Sequence, residues 1–464
     1  MDLPPISPPD GDARRAAVAR HAELAVPLGG LGHLAELGCW LAAAQGSCPP
    51  RPPGRPRLVI VAADHGIAAA GVSRYPASVT LAQVEAVRTH TAPVAVLAPI
   101  AGASIRIVDV GLDHESDDKH HVRRACGRID REDALTDDEV ERAVAAGRAV
   151  ADEEVDGGAD LLIPASLGVG ATTAASTLVS ALTGAEPVAV IGRGSGVDDH
   201  GWMRKAAAVR DALRRARPHA RDPLALLRVA GGTDLAALTG FLAQAAVRRT
   251  PVLIDGLVVG AAAMLAHQLA PGARAWWLVA QRSPEPAMTL ATEQLDLTPQ
   301  LDLEVRAGDG TGAVAVLPLL QMAARLLAET ATAADSGIIP ANPMPADQIP
   351  AEETPASEIP TGMVPTGTAP TEGAQTEAVQ TEAAQTEAAP EGPAPADHDP
   401  ATAGPGADGP AADGSASNAA GTNAAGTNAA APTEPVPADP AAAAPEPTRS
   451  TVAGGTRPDG SATT

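Results

Sequence analysis

Six short apolar runs punctuate the first 330 residues: LVIVAA at 58–63, IRIVDV at 105–110, LLIPA at 161–165, PVAVIG at 187–192, PVLIDG at 251–256 and WWLVAQ at 276–281. Between most of them lie Ala-rich stretches of helix length, such as 172–182, 202–216 and 257–269. Runs of five or six apolar residues suit buried strands, and a helix between consecutive strands forces a crossover that leaves them parallel. The pattern therefore predicts an α/β fold with a doubly wound, mostly parallel, Rossmann-like sheet. HLAELGCWLAAA at 33–44 and the stretch 313–330 read as helices of a smaller helical subdomain, drawn from the N-terminus and the end of the globular part. Ligands of such sheets bind beyond the carboxyl ends of the strands.

The pattern stops near residue 330. From 331 to the end there are 18 acidic residues against Arg449 and Arg457, which is −16 of the chain's net −23. Proline, then glutamine, then proline again recurs every fifth residue from 340 to 410, and NAAGT repeats follow at 418–427. A five-residue period fits neither helix nor strand, and a segment without large apolar groups cannot offset its chain entropy by burial. The expected organisation is a globular domain over 1–330 and a disordered, acidic, Pro/Ala/Thr-rich tail over 331–464. That tail reads as a solvated bristle, with a docking role as the lesser alternative.

Composition excludes several classes. The start MDLPPISPPD has no basic segment leading into an apolar one, and no uninterrupted apolar stretch reaches the roughly 18–20 residues of a membrane span. Cys39, Cys48 and Cys126 show neither a disulfide framework nor metal-ligand spacing. The acidic balance, without aromatic–basic patches, argues against nucleic acid. The expectation is a cytoplasmic protein that binds neither membrane nor nucleic acid.

Glycine and polar signals gather after the apolar runs. LLIPA leads into Ser166-Leu167-Gly168-Val169-Gly170-Ala171-Thr172-Thr173, and PVAVI into Gly192-Arg193-Gly194-Ser195-Gly196. Glycine lets backbone N–H groups approach an anion, and a helix N-terminus adds free donors and a favourable dipole. Tight turns use glycine for steric reasons alone, so either loop by itself is weak. Lys205 and Lys119 are the only lysines among 33 basic residues, and Lys205 follows the second loop by nine positions. A compact ammonium on a phosphate gives one reason for it, and a stray surface lysine is the other reading. Tyr75, the only tyrosine, lies in Ser73-Arg74-Tyr75-Pro76, where ordinary packing is the plain alternative. Acids stand at strand ends: Asp64 beside His65, Asp109, Asp255 and, in Gly308-Asp309-Gly310-Thr311-Gly312, Asp309. Asp64 reads as a cap of the following segment. Asp309, flanked by glycines, suits either a general base or a turn.

Together these motifs resemble the nicotinate-nucleotide–dimethylbenzimidazole phosphoribosyltransferase family. The resemblance runs from about 26 to 330 through Leu28–Gly32, AADHGIAAAGVS at 62–73, Tyr75-Pro76, LGVGATT, GRGSGVDD, Gly231-Gly232 with Asp234, PVLIDG, Gln281–Pro286 and GDGTGA. It implies transfer of 5-phosphoribosyl from nicotinate mononucleotide to a benzimidazole base with inversion at the anomeric carbon, without metal or cofactor, in a homodimer. By motif position the phosphoribosyl group meets Gly168, Gly170, Thr172, Thr173, Gly192, Arg193, Gly194, Lys205, Asp255 and Ser283. The base lies near Tyr75 and Gln83. Asp309 falls where the family places its catalytic glutamate, which removes the benzimidazole N–H proton. Ser166 stands in place of a second glutamate, Ala171 of an asparagine, Gln281 of a histidine, and Ala287-Met288 of Gly-His. The shorter Asp309 reaches about 1.5 Å less far, which leaves a non-catalytic carrier or regulator of the nucleotide or base as the alternative.

Overall fold

The structure is a computed structural model in which residues 4–338 are described. The expected five-residue repeats and nearly all of the acidic tail lie outside the described residues.

Five strands form one sheet: β1 (Pro56–Ala63), β2 (Ser104–Gly111), β3 (Leu161–Leu167), β4 (Val252–Ile254) and β5 (Trp277–Val279). Their spatial order is β2-β1-β3-β4-β5 and every pairing is parallel. Side chains alternate across the sheet, as a strand's two-residue period requires. Val59, Val61 and Ala63 pack on one face with helices Asp137–Asp156, Ala171–Thr183, Thr233–Val247 and Leu257–Leu269. Leu58, Ile60 and Ala62 pack on the other with helices Val79–Arg88, Pro93–Ile100 and Thr311–Glu329. Both faces are covered, which is why the strands read as continuous apolar runs. Because β1 is flanked by β2 and β3, the chain winds one way and then the other, and the switch lies between the ends of β1 and β3.

The expected helical subdomain is present. Helices Gly11–Glu23, His33–Gln45 and Thr311–Glu329 enclose Ala17, Leu24, Cys39, Ala42 and Leu327. Arg20 donates to the carbonyls of Leu327 (2.6 Å) and Ala328 (3.1 Å), closing the C-terminal turn of the last of these helices. That helix is long and apolar enough to cross a membrane, yet half of it is buried in this fold. The chain then turns back so that Ala25 N–H bonds the Ala331 carbonyl.

One expected strand is absent. PVAVIG forms the short helix Pro187–Val190 and a loop. Pro187 occupies the first helical turn, where its missing N–H costs nothing. The carbonyls of Val190 and Ile191 accept from Ser176 Oγ (3.2 Å) and Trp202 Nε1 (3.2 Å), so no neighbouring strand is needed to satisfy them.

Candidate functional site

The loop after β3 is shaped by close approach. A Cβ on Gly168 would run into the Ala63 carbonyl, and one on Gly170, which has φ +102°, would press on Ile67 and His65. Glycine there lets the start of helix Ala171–Thr183 sit directly over the end of β1. Val169 N–H donates to Thr80 Oγ1 at 3.1 Å, tying this loop to the helix that carries Gln83. Thr173 is buried, and its Oγ1 has no hydrogen-bond partner among the described residues.

Lys205 is not a surface lysine. It is 1% exposed, among the largest fully buried side chains, and its Nζ donates to Thr172 Oγ1 at 3.2 Å. Burial pushes its pKa below the ordinary lysine value, with the nearby Glu285 charge pulling the other way. A desolvated ammonium with one neutral partner is a receptor for an anion.

The Gly192–Gly196 loop folds over the same point. A Cβ on Gly194 would stand 3.1 Å from Lys205 Nζ and 3.4 Å from Thr172 Oγ1. Ser195 Oγ meets Ser73 Oγ at 3.0 Å and accepts from Arg74 N–H at 2.9 Å, which brings the Tyr75 segment against this loop. Tyr75 is 46% exposed, so packing does not explain it. Arg193 is exposed and turned back onto its own loop, donating to the Val197 carbonyl (3.1 Å) and Asp199 (2.7 Å).

The acids gather beside the ends of β3, β4 and β5. Ser166 N–H bonds the Gly308 carbonyl (3.2 Å), which seats the Gly308–Gly312 turn on the end of β3. Asp309 is 7% exposed, and its Oδ1 accepts from Thr311 N–H at 3.0 Å. Asp255, just past β4, accepts from Gln281 Nε2 (2.9 Å) and from Ala313 N–H (3.2 Å) at the start of helix Thr311–Glu329. Burial raises the Asp255 pKa above the usual carboxylate value, and the Asp309 charge adds to the rise. Gln281 also donates to the Val305 carbonyl (2.8 Å) and accepts from Val305 N–H (3.2 Å). An amide can do both at once, so Gln281 clamps the segment leading to Asp309. From Gln281 the chain runs through the buried Ser283 to Glu285, whose Oε1 accepts from Gly194 N–H at 2.9 Å. One short segment thus links the acid cluster to the glycine loop. A cleft of about 400 Å³ opens beside it, lined by Gln281, Ser283, Met288 and Thr292 among others.

Beneath the loops lies a buried network that motif reading leaves without a role. His65 Nε2 is 3.1 Å from Asp234 Oδ1, and Ser166 Oγ donates to Asp234 Oδ2 at 3.0 Å. Burial works against both charges. The attraction between them outweighs it, raising the His65 pKa and lowering that of Asp234. Asp64 does not cap the next segment; it accepts from Asp113 N–H (3.0 Å) and holds the chain leaving β2. Among the described residues no group of three or more His, Cys, Asp or Glu side chains could hold a metal ion.

Residues 6–338 match the family model DBI_PRT, phosphoribosyltransferase. The chain is 53% identical over 342 residues to the nicotinate-nucleotide–dimethylbenzimidazole phosphoribosyltransferase of Mycolicibacterium paratuberculosis, covering 73% of this chain and 98% of that one. It is 52% identical to the enzyme of that name from Mycobacterium leprae, covering 73% and 97%. The crystal structure of the nicotinate-nucleotide–dimethylbenzimidazole phosphoribosyltransferase from Thermus thermophilus is similar with a TM-score of 0.67 at 37% identity, covering 71% of this chain and 99% of that one.

Proposed function

The chain belongs to the nicotinate-nucleotide–dimethylbenzimidazole phosphoribosyltransferase family, and on that footing we propose that it transfers 5-phosphoribosyl from nicotinate mononucleotide to dimethylbenzimidazole. The products are α-ribazole 5′-phosphate and nicotinate, formed in assembly of the cobalamin nucleotide loop. One observation carries the site: the Gln281–Glu285 segment joins the Asp255–Asp309 acids to the Lys205–Thr172 anion receptor.

Lys205 and Thr172 hold the phosphate where the Gly192–Gly194 loop passes over them, with Gly168, Gly170, Thr173, Asp255 and Ser283 around the ribose. Arg193 acts through its own loop, since its guanidinium is held by Val197 and Asp199. Tyr75 and Gln83 border the base. One benzimidazole nitrogen attacks the anomeric carbon from the face opposite nicotinate, and the C–N bond to nicotinate breaks as the new one forms. Asp309 takes the proton from the other nitrogen. Positive charge builds on the ribose as nicotinate departs, so buried carboxylates beside it favour the transition state as well as accepting the proton. Ser166 takes no part in the proton transfer, because its hydroxyl is committed to Asp234.

Residues 6–338 suffice for this reaction, a reading supported by the near-complete coverage of the relatives. The homodimer is supported by Val96 (54% exposed), Ile100 (78%) and Met322 (49%), apolar side chains on adjoining helices, where Gln321 Nε2 donates to the Ala101 carbonyl.

Purified protein given nicotinate mononucleotide and dimethylbenzimidazole should release nicotinate. D309A should abolish release, and D309E should keep or raise it. Binding of the nucleotide without turnover, unrepaired by D309E, would instead mark the protein as a carrier.

A further inference from the structure

Glu285 sits immediately before helix Pro286–Gln294 and makes no side-chain cap for it. Its carboxylate turns instead to the Gly192–Gly194 loop, where Oε1 accepts from Gly194 N–H at 2.9 Å. The approach is so close that a Cβ on Gly192 would collide with the carboxylate. Glu285 is 3% exposed, and its Oε2 is buried with no hydrogen-bond partner among the described residues. A buried carboxylate with an open acceptor site is costly unless a donor reaches it.

The surroundings say what kind of donor. Lys205 Nζ also lies against Gly194, bonded to Thr172 Oγ1. The three-residue segment thus has both a cation and an anion against it. A phosphate belongs at the cation and is repelled by the carboxylate. A group that sits beside a phosphate and carries neutral O–H donors suits the carboxylate. The sugar of a phosphoribosyl group is such a group.

We propose that Glu285 accepts a hydrogen bond from a ribose hydroxyl of the nucleotide donor and so selects ribose over deoxyribose at this site. The assignment rests on the phosphoribosyl-transfer reading above. A carboxylate–hydroxyl bond is charge-assisted. A donor lacking the hydroxyl leaves the buried acceptor unpaired, and that asymmetry makes sites of this kind strongly selective.

The test compares kcat/KM for nicotinate mononucleotide with that for its 2′-deoxy and 3′-deoxy analogues, in wild type, E285Q and E285A, with thermal melting to check folding. Wild type should prefer the ribonucleotide over one of the analogues by at least about 100-fold. E285A should lower kcat/KM for the ribonucleotide and level that preference. E285Q, which keeps one acceptor oxygen, should fall between and covers the case in which E285A does not fold. A merely structural glutamate would lower every donor alike and leave the ratio unchanged, and that result overturns the proposal, as does a wild type that does not discriminate. Failure of wild type to use any donor would count against the transfer reaction itself, which separates the two readings.

Discussion

Lys205 shows how far a single residue can be read. Its rarity in an arginine-using chain marks it out, but only the fold shows that it is buried and bonded to Thr172. His65 and Asp234 are the opposite case, since 169 positions of chain separate two residues whose meaning is their contact. Breaking such a buried pair leaves an uncompensated charge and costs about 3–5 kcal/mol. D234N should therefore lower unfolding stability by about that much in denaturant melts. The pH dependence has a fixed sign. The His65 pKa is raised above 6.5, so its contribution is whole below pH 6.5 and is lost as pH rises through the raised value. The Asp234 pKa is lowered below 3.8, so its contribution is whole above 3.8 and fades as pH falls through the lowered value. The stability gap between wild type and H65Q should stay level between about pH 4 and 6.5, narrow on the acid side as Asp234 gains its proton, and narrow on the alkaline side as His65 loses its own. A gap that widens there would contradict this sign.

At the scale of elements, the tightest packing is between helices Asp137–Asp156 and Thr233–Val247. A Cβ on Gly147 would strike the Ala237 carbonyl, and one on Gly240 the Val144 carbonyl. The two backbones meet at these glycines, and neither carbonyl belongs to a flexible side chain that could swing aside. G147A and G240A should each destabilise by roughly 1–3 kcal/mol, the usual range for overpacking, read as a lower urea midpoint. That ordinary helix propensity favours alanine over glycine makes the sign a sharp check. The helices over 33–44, 172–182, 202–216 and 257–269 are legible in the sequence because spacing and alanine content act locally. The PVAVIG run misleads for the matching reason. Its apolar residues are equally suited to strand or buried loop, and the partners of its carbonyls, Ser176 and Trp202, come from elsewhere in the chain.

For the whole molecule, Val96, Ile100 and Met322 are exposed apolar side chains, and they form the dimer face proposed above. Light scattering should find two chains per particle for wild type and one for the double variant I100E/M322E, with the melting temperature little changed. A monomeric wild type would remove the dimer from the proposal. The parallel sheet, the two helical layers and the strand-end position of the site follow from the sequence alone, because apolar period and glycine punctuation are properties of short segments. Motif order is enough to indicate the family. Tertiary structure alone decided that Arg193 bonds Val197 and Asp199, that Gln281 clamps the approach to Asp309, that Ser166 serves Asp234, and that Glu285 bonds Gly194. Each of these depends on which distant groups share a buried volume. There the cost of an unpaired polar group sets the orientation of every side chain, and no local pattern records that cost.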